Sequence, residues 1–198
     1  ASLVGPAGKV YGYEPETDNF MQLEAKVGGF NNVKIFNFAL GEKNQKAPLF
    51  KNLDNNGGHA LWDVRKFACN VKTIANPESY EIEVKRLDDL MEDENLERLK
   101  LCLFDVEGAE HSVLKGAINT ITDNDVPYII CEINNPALGM CHTTQANLCS
   151  YMSVYGYKTY LVETDKVTEV PPGKELVAKV DEDQETVFNV IFSRKGPV

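Results

Sequence analysis

Apolar residues recur along this chain at two alternating spacings, every second residue and every third or fourth. Residues 9–13 (Lys-Val-Tyr-Gly-Tyr) read as a short strand, which Glu14-Pro15 ends because proline has no N–H for the ladder. Phe20, Leu23 and Val27 follow at helical spacing, with Thr17 or Asp18 to cap the helix and Gly28-Gly29 to stop it. Residues 33–38 form the next strand. A continuous apolar run in 99–104, after Lys100, suits a strand buried on both faces. The stretch 108–123 predicts a helix with Val113, Leu114, Ala117, Ile118 and Ile121 inward. Residues 128–133 are another buried strand. Thr144 caps a helix that turns Leu148, Tyr151, Met152 and Tyr155 inward and stops at Gly156. Residues 158–162 and 186–193 are the last strands, with Pro171-Pro172-Gly173 breaking the chain between them.

Single helices between strands require crossovers, so the class is α/β with a mostly parallel sheet. The last two strands have no helix between them and are expected to pair antiparallel. Residues 41–86 are less regular and read as a β-rich excursion of hairpins. Asn55-Asn56-Gly57-Gly58 marks a turn there, and 79–85 alternates with Tyr80, Ile82 and Val84 on one face. A short helix over 87–91 follows. The whole of 1–198 reads as one domain with 41–86 inserted in it.

Composition narrows the partners. A chain of 198 residues can bury one sizeable core. Its net charge of -10, with no basic stripe, repels phosphate backbones and anionic lipid surfaces, so neither nucleic acid nor membrane is an expected partner. No apolar run approaches the ~20 residues that span a bilayer. The five cysteines contain no Cys-x-x-Cys, and Cys102 and Cys131 sit inside apolar runs, where a thiol behaves as a small hydrophobe. That usage points to a reducing, cytoplasmic setting without a disulfide framework or zinc site.

In open α/β sheets, ligands bind at the carboxyl ends of the strands. Glu14, Asp105, Glu107 and Glu132 stand at or near such ends. A carboxylate at Glu14 can accept both hydroxyls of a ribose; the same group also suits a helix N-terminus electrostatically. Asp105 and Glu107 would share one side of an extended segment, and there they are either a rim facing a ligand or the acidic start of a helix. Two carboxylates alone do not specify a metal, the three histidines lack metal-ligand spacing, and no metal is expected. As proton acceptors, His111 lies in the first turn of the predicted helix and His59 follows the Asn-Asn-Gly-Gly loop; His142 precedes a helix cap.

Asp105-Val106-Glu107-Gly108-Ala109-Glu110-His111-Ser112-Val113-Leu114-Lys115-Gly116-Ala117 resembles the signature of the FkbM-type methyltransferases. So do Val10-Tyr11-Gly12-Tyr13-Glu14-Pro15, Asn37-Phe38-Ala39-Leu40-Gly41, Leu87-Asp88-Asp89-Leu90 and Ile130-Cys131-Glu132, in family order over nearly the whole chain. The resemblance implies a Rossmann-like methyltransferase fold that uses S-adenosylmethionine, with O-methyl transfer to a small hydroxylated or sugar-like acceptor. It implies that Glu14 binds the ribose, that Asn37, Phe38 and Ala39 lie beside the adenine, and that Asp105 and Glu107 line the cleft near the sulfonium. Asp105, His111 and His59 are the candidates for chemistry. The 41–86 excursion is expected to shape the acceptor pocket.

The family's glycine loop should lie about 20 residues before the ribose-binding acid. Counting back from Glu14 passes the start of the sequence, so the loop and the first strand are expected to be missing, as in an N-terminally truncated domain. Loss of a central strand would expose strand edges, which the sheet or a second copy of the chain is expected to cover. Cofactor affinity without the loop is expected to be low. The alternative reading is a non-catalytic binding or self-association module that kept the fold. An NAD-dependent oxidoreductase would share the ribose acid but lacks a dinucleotide loop here.

Overall fold

The computed structural model of the chain describes residues 2–91, 99–174 and 187–196. They fall into two compact units, Ala1–Lys85 and Arg86–Val198.

In the first unit, β1 (Val10–Tyr13) and β2 (Val33–Phe36) pair in parallel, Val10 opposite Val33 and Tyr13 opposite Phe36. α1 (Thr17–Val27) connects them, as the spacing predicts. Its cap is Glu16 rather than Thr17 or Asp18, with Oε2 accepting the Asn19 N–H at 2.7 Å. A buried glutamate can serve there because Lys51 Nζ lies 3.0 Å from its Oε1 and the Tyr80 hydroxyl donates to that oxygen at 3.2 Å. The strand expected over 33–38 stops at Phe36, and the chain resumes as β3 (Ala39–Leu40). β4 (Gln45–Phe50) and β5 (Ser79–Lys85) complete a three-stranded sheet in the order β3-β5-β4. A 3-10 turn (Val64–Lys66) and α2 (Val71–Ala75) occupy the chain between β4 and β5. Ala39, Leu49, Ile82 and Val84 form the sheet's small core.

In the second unit, α3 (Leu87–Met91) packs on α4 (Glu110–Asp123), and the buried Asp88 carboxylate accepts the Thr120 N–H at 2.8 Å. β6 (Leu101–Phe104), β7 (Tyr128–Asn134), β8 (Lys158–Val162), β9 (Val167–Val170) and β10 (Val187–Ser193) form one sheet in the order β6-β7-β10-β8-β9. β6 and β7 are parallel, and β10 lies antiparallel between β7 and β8. β6, β7 and β8 therefore run one way and the last strand runs against them, as expected. β9 adds an antiparallel hairpin that the sequence did not announce, and Thr186, expected at the start of the last strand, lies outside the described residues. α5 (Asn135–Met140) and α6 (Gln145–Val154) follow β7, with Thr144 capping α6 through the Asn147 N–H as predicted.

All five apolar residues predicted for the inner face of α4 are buried. β6 differs from its expected burial on both faces. Cys102 and Phe104 point inward, but Leu101 and Leu103 are 50% and 64% exposed, and β7 is its only neighbour among the described strands. The expected covering of that edge is not seen among the described residues. Among those residues, too, no helix is long and apolar enough to cross a membrane.

Candidate active site

In the first unit, the site residues gather where β1 and β2 end. Glu14 continues β1, its N–H donating to the Phe36 carbonyl at 3.0 Å. Its Oε1 accepts the Glu16 N–H at 2.8 Å, and its Oε2 accepts nothing from the described residues. Burial raises the Glu14 carboxyl above its ordinary range; the Glu16 N–H lowers it and the Glu16 charge raises it again. Asn37 clamps the corner from the end of β2, its Nδ2 donating to the carbonyls of Glu14 at 2.9 Å and Pro15 at 3.2 Å. Phe38 is buried, with its ring centroid 5.6 Å from those of Tyr13 and Phe36 and the Lys85 ammonium 4.5 Å above it. Ala39 is buried in the sheet core, and its backbone pairs with Val84 of β5.

His59 is half-buried, and its Nδ1 accepts the Asn52 N–H at 2.9 Å. That bond leaves the ring proton on Nε2, so in this geometry the imidazole donates outward rather than accepts. Burial holds its pKa down, with the Glu16 charge pulling the other way.

In the second unit, the carboxylates cluster where β6 and β7 end. One oxygen each from Asp105, Glu107 and Glu132 lies within 4.8 Å of the others. The strand register explains the meeting. Phe104 pairs with Cys131, so the next residues, Asp105 and Glu132, stand side by side. Burial pushes the Glu132 carboxyl up to about 7; the Asp105 charge and a hydrogen bond to Asp105 add to it, followed by the charges of Glu107 and Glu110. Glu107 is raised by burial first and by Asp105 second. Asn134, two residues beyond Glu132 on the same side of β7, donates from Nδ2 to Glu107 Oε2 at 3.4 Å. Three acids so close can share one proton, or take up a positively charged group that relieves their repulsion. His111 sits beside this region, but its Nδ1 lies 2.9 Å from the Thr143 hydroxyl and its ring meets Tyr151 edge-on at 5.3 Å.

The structure thus brings Asp105 and Glu107 together with Glu132, and Glu14 together with Asn37. Glu132 was recognisable as a strand-end acid but not as a member of the group. Asn134 went unread, although period-two alternation along β7 places it on the face of Glu132. Glu110, named above only within the Asp105–Ala117 motif, is buried beneath the turn that carries Asp105 and Glu107.

A family model for the methyltransferase FkbM domain matches residues 1–159. The 2-O-methyltransferase NoeI of Sinorhizobium fredii (strain NBRC 101917 / NGR234) is 23% identical over 124 residues, which is 59% of this chain and 51% of that protein. The chain therefore spans about half the length of the curated relative it matches. The crystal structure of methyltransferase FkbM from Methylobacillus flagellatus KT resembles the chain with a TM-score of 0.51 at 14% identity, covering 93% of this chain and 36% of that one. At that identity the likeness speaks to the fold, which is Rossmann-like.

Proposed function

Because the chain belongs to the FkbM methyltransferase family, we propose that it serves S-adenosylmethionine-dependent methyl transfer to an oxygen of a small hydroxylated or sugar-like acceptor. The observation that carries this reading is the gathering of Asp105, Glu107 and Glu132 at the carboxyl ends of β6 and β7, where sheets of this class hold their ligands. The name of the relative NoeI favours oxygen as the acceptor atom. The family match over 1–159 takes in residues of both compact units, which supports reading them as one methyltransferase domain with the 41–86 segment inserted in it.

The residues suit the cofactor. When bound, S-adenosylmethionine supplies an electrophilic methyl group on a positively charged sulfur. Glu14 has one carboxylate oxygen committed to Glu16 and one open to accept from ribose hydroxyls. Asn37, Phe38 and Ala39 lie beside the adenine in this reading. Asp105 and Glu107 present negative charge to the cationic end. Glu132, beside Asp105 at the end of β7, takes the proton from the acceptor hydroxyl in its ionised form as the methyl group moves from sulfur to that oxygen.

Two further parts of the reading concern its setting. The exposure of Leu101 and Leu103 on β6 supports self-association, and the cysteine usage supports a cytoplasmic location. Calorimetric titration of S-adenosylmethionine into the gene product that carries this sequence tests the proposal. Heat of binding that disappears with excess S-adenosylhomocysteine is expected. A protein that binds neither compound sinks the reading and leaves the non-catalytic module in its place.

A further inference from the structure

The turn between β6 and α4 carries Asp105 and Glu107, and its backbone is held in an uncommon conformation. Glu107 and Gly108 follow one another with φ of 51° and 94°. Glycine adopts that region freely, whereas a glutamate stays there only when its surroundings hold it. Gly108 has no room to shift toward α5, since a Cβ built on it would clash with the Ala137 carbonyl oxygen. The other hold is Glu110. Its Oε1 accepts the N–H of Val106 at 3.3 Å and the N–H of Gly108 at 3.2 Å, the two amides that flank Glu107. The side chain is 1% exposed, and its Oε2 is buried with no hydrogen-bond partner among the described residues. An apolar side chain of similar size would fill the space without that desolvation cost, so the carboxyl needs a reason to be there.

We propose that Glu110 is a positioning residue: by bridging the amides on either side of Glu107, it fixes the direction in which Asp105 and Glu107 present their carboxylates toward Glu132. The inference rests on reading those three acids as the reaction centre, and Glu110 acts on them through the backbone of the turn. Burial pushes the Glu110 carboxyl up to about 7, against the backbone N–H groups that lower it, and the Glu107 charge raises it further. The thiols of Cys131 and Cys141 also face it; burial raises both, with the Glu110 charge adding. Near neutral pH a primary amide is therefore a close mimic, because its carbonyl oxygen can accept the same two N–H groups. Methionine keeps the length and the packing but offers no comparable acceptor.

Amide hydrogen exchange and steady-state kinetics on Glu110→Gln and Glu110→Met test the assignment. In Glu110→Met, exchange at Val106 and Gly108 is expected to speed up by about 10-fold or more, while Leu114 and Ile129 keep their protection. With it, kcat should fall by about 10-fold or more. Glu110→Gln should restore both quantities to near the parent values. Unchanged exchange at Val106 and Gly108 in Glu110→Met overturns the bridge. Faster exchange with full kcat overturns the positioning role, as does a Glu110→Gln protein as impaired as Glu110→Met. If the parent protein transfers no methyl group, the reaction-centre reading fails and the positioning role falls with it; the exchange data then judge the bridge by itself.

Discussion

Glu132 and Asp105 stand side by side one register step beyond the Phe104–Cys131 pair that joins β7 to β6, with a carboxylate oxygen of each within 4.8 Å of the other. Burial raises Glu132 to about 7 and the Asp105 charge adds to the effect. If ionised Glu132 accepts the proton of the acceptor hydroxyl, kcat should rise with pH through a midpoint near 7 and level off above it. Glu132→Gln should erase that limb and lower kcat by about 10²–10⁴-fold with little change in cofactor affinity. A parent pH profile with no limb near 7 would remove Glu132 from the chemistry.

Glu14 has one oxygen bound to the Glu16 N–H and one that accepts nothing from the described residues. Glu14→Gln turns part of that acceptor into a donor and removes its charge. S-adenosylmethionine affinity should drop by about 10–100-fold, or about 1–3 kcal/mol, in a calorimetric titration. Equal affinities for parent and variant would mean that Glu14 does not hold the ribose.

Gly108 and Gly173 both have φ in the left-handed region, 94° and 78°, but only Gly108 is crowded. Gly108→Ala brings its Cβ against the Ala137 carbonyl and should destabilise the protein by about 3 kcal/mol or more in urea unfolding. Gly173→Ala meets open space and should cost only about 1 kcal/mol of backbone strain. Similar losses at the two positions would show that the packing of Gly108 on α5 is not tight.

Glu110 gives stability a pH dependence of defined sign. Its folded-state carboxyl is raised to about 7 from an ordinary value of 4.5, so the folded state holds the proton more tightly than the unfolded chain. The stabilisation is fully present below the unfolded value and is lost as pH rises through about 7. Unfolding free energy should fall between pH 4.5 and 7.5, and Glu110→Gln should reduce that fall by about 2–3 kcal/mol. A variant with the parent's pH slope would show that Glu110 titrates normally.

Much of this architecture is legible in the residues themselves. The inner stripe of α4 follows from helical spacing, and Thr144 caps α6 as its side chain predicts. β6 misled because a continuous apolar run reports hydrophobicity but not which neighbours cover it. Leu101 and Leu103 are exposed, and among the described strands β6 has β7 alone beside it. Glu16 was passed over as a cap because glutamate rarely serves alone; here Lys51 and Tyr80, far along the chain, compensate its burial. β9 is four residues with little apolar content and is held by its pairing with β8. At the site, Asp105 and Glu107 carry a local signature. Their meeting with Glu132 depends on strand register, and that of Glu107 with Asn134 on the fold of the turn, neither of which a linear motif contains.

The most direct test is transfer of an isotope-labelled methyl group from S-adenosylmethionine to a panel of sugars and small hydroxylated compounds, using the gene product that carries this sequence and its Glu132→Gln variant side by side. Label on an acceptor oxygen is expected with the parent protein, and transfer slower by about 10²-fold or more with the variant. Label transferred equally by both proteins, or by neither to any acceptor, would contradict the proposed function.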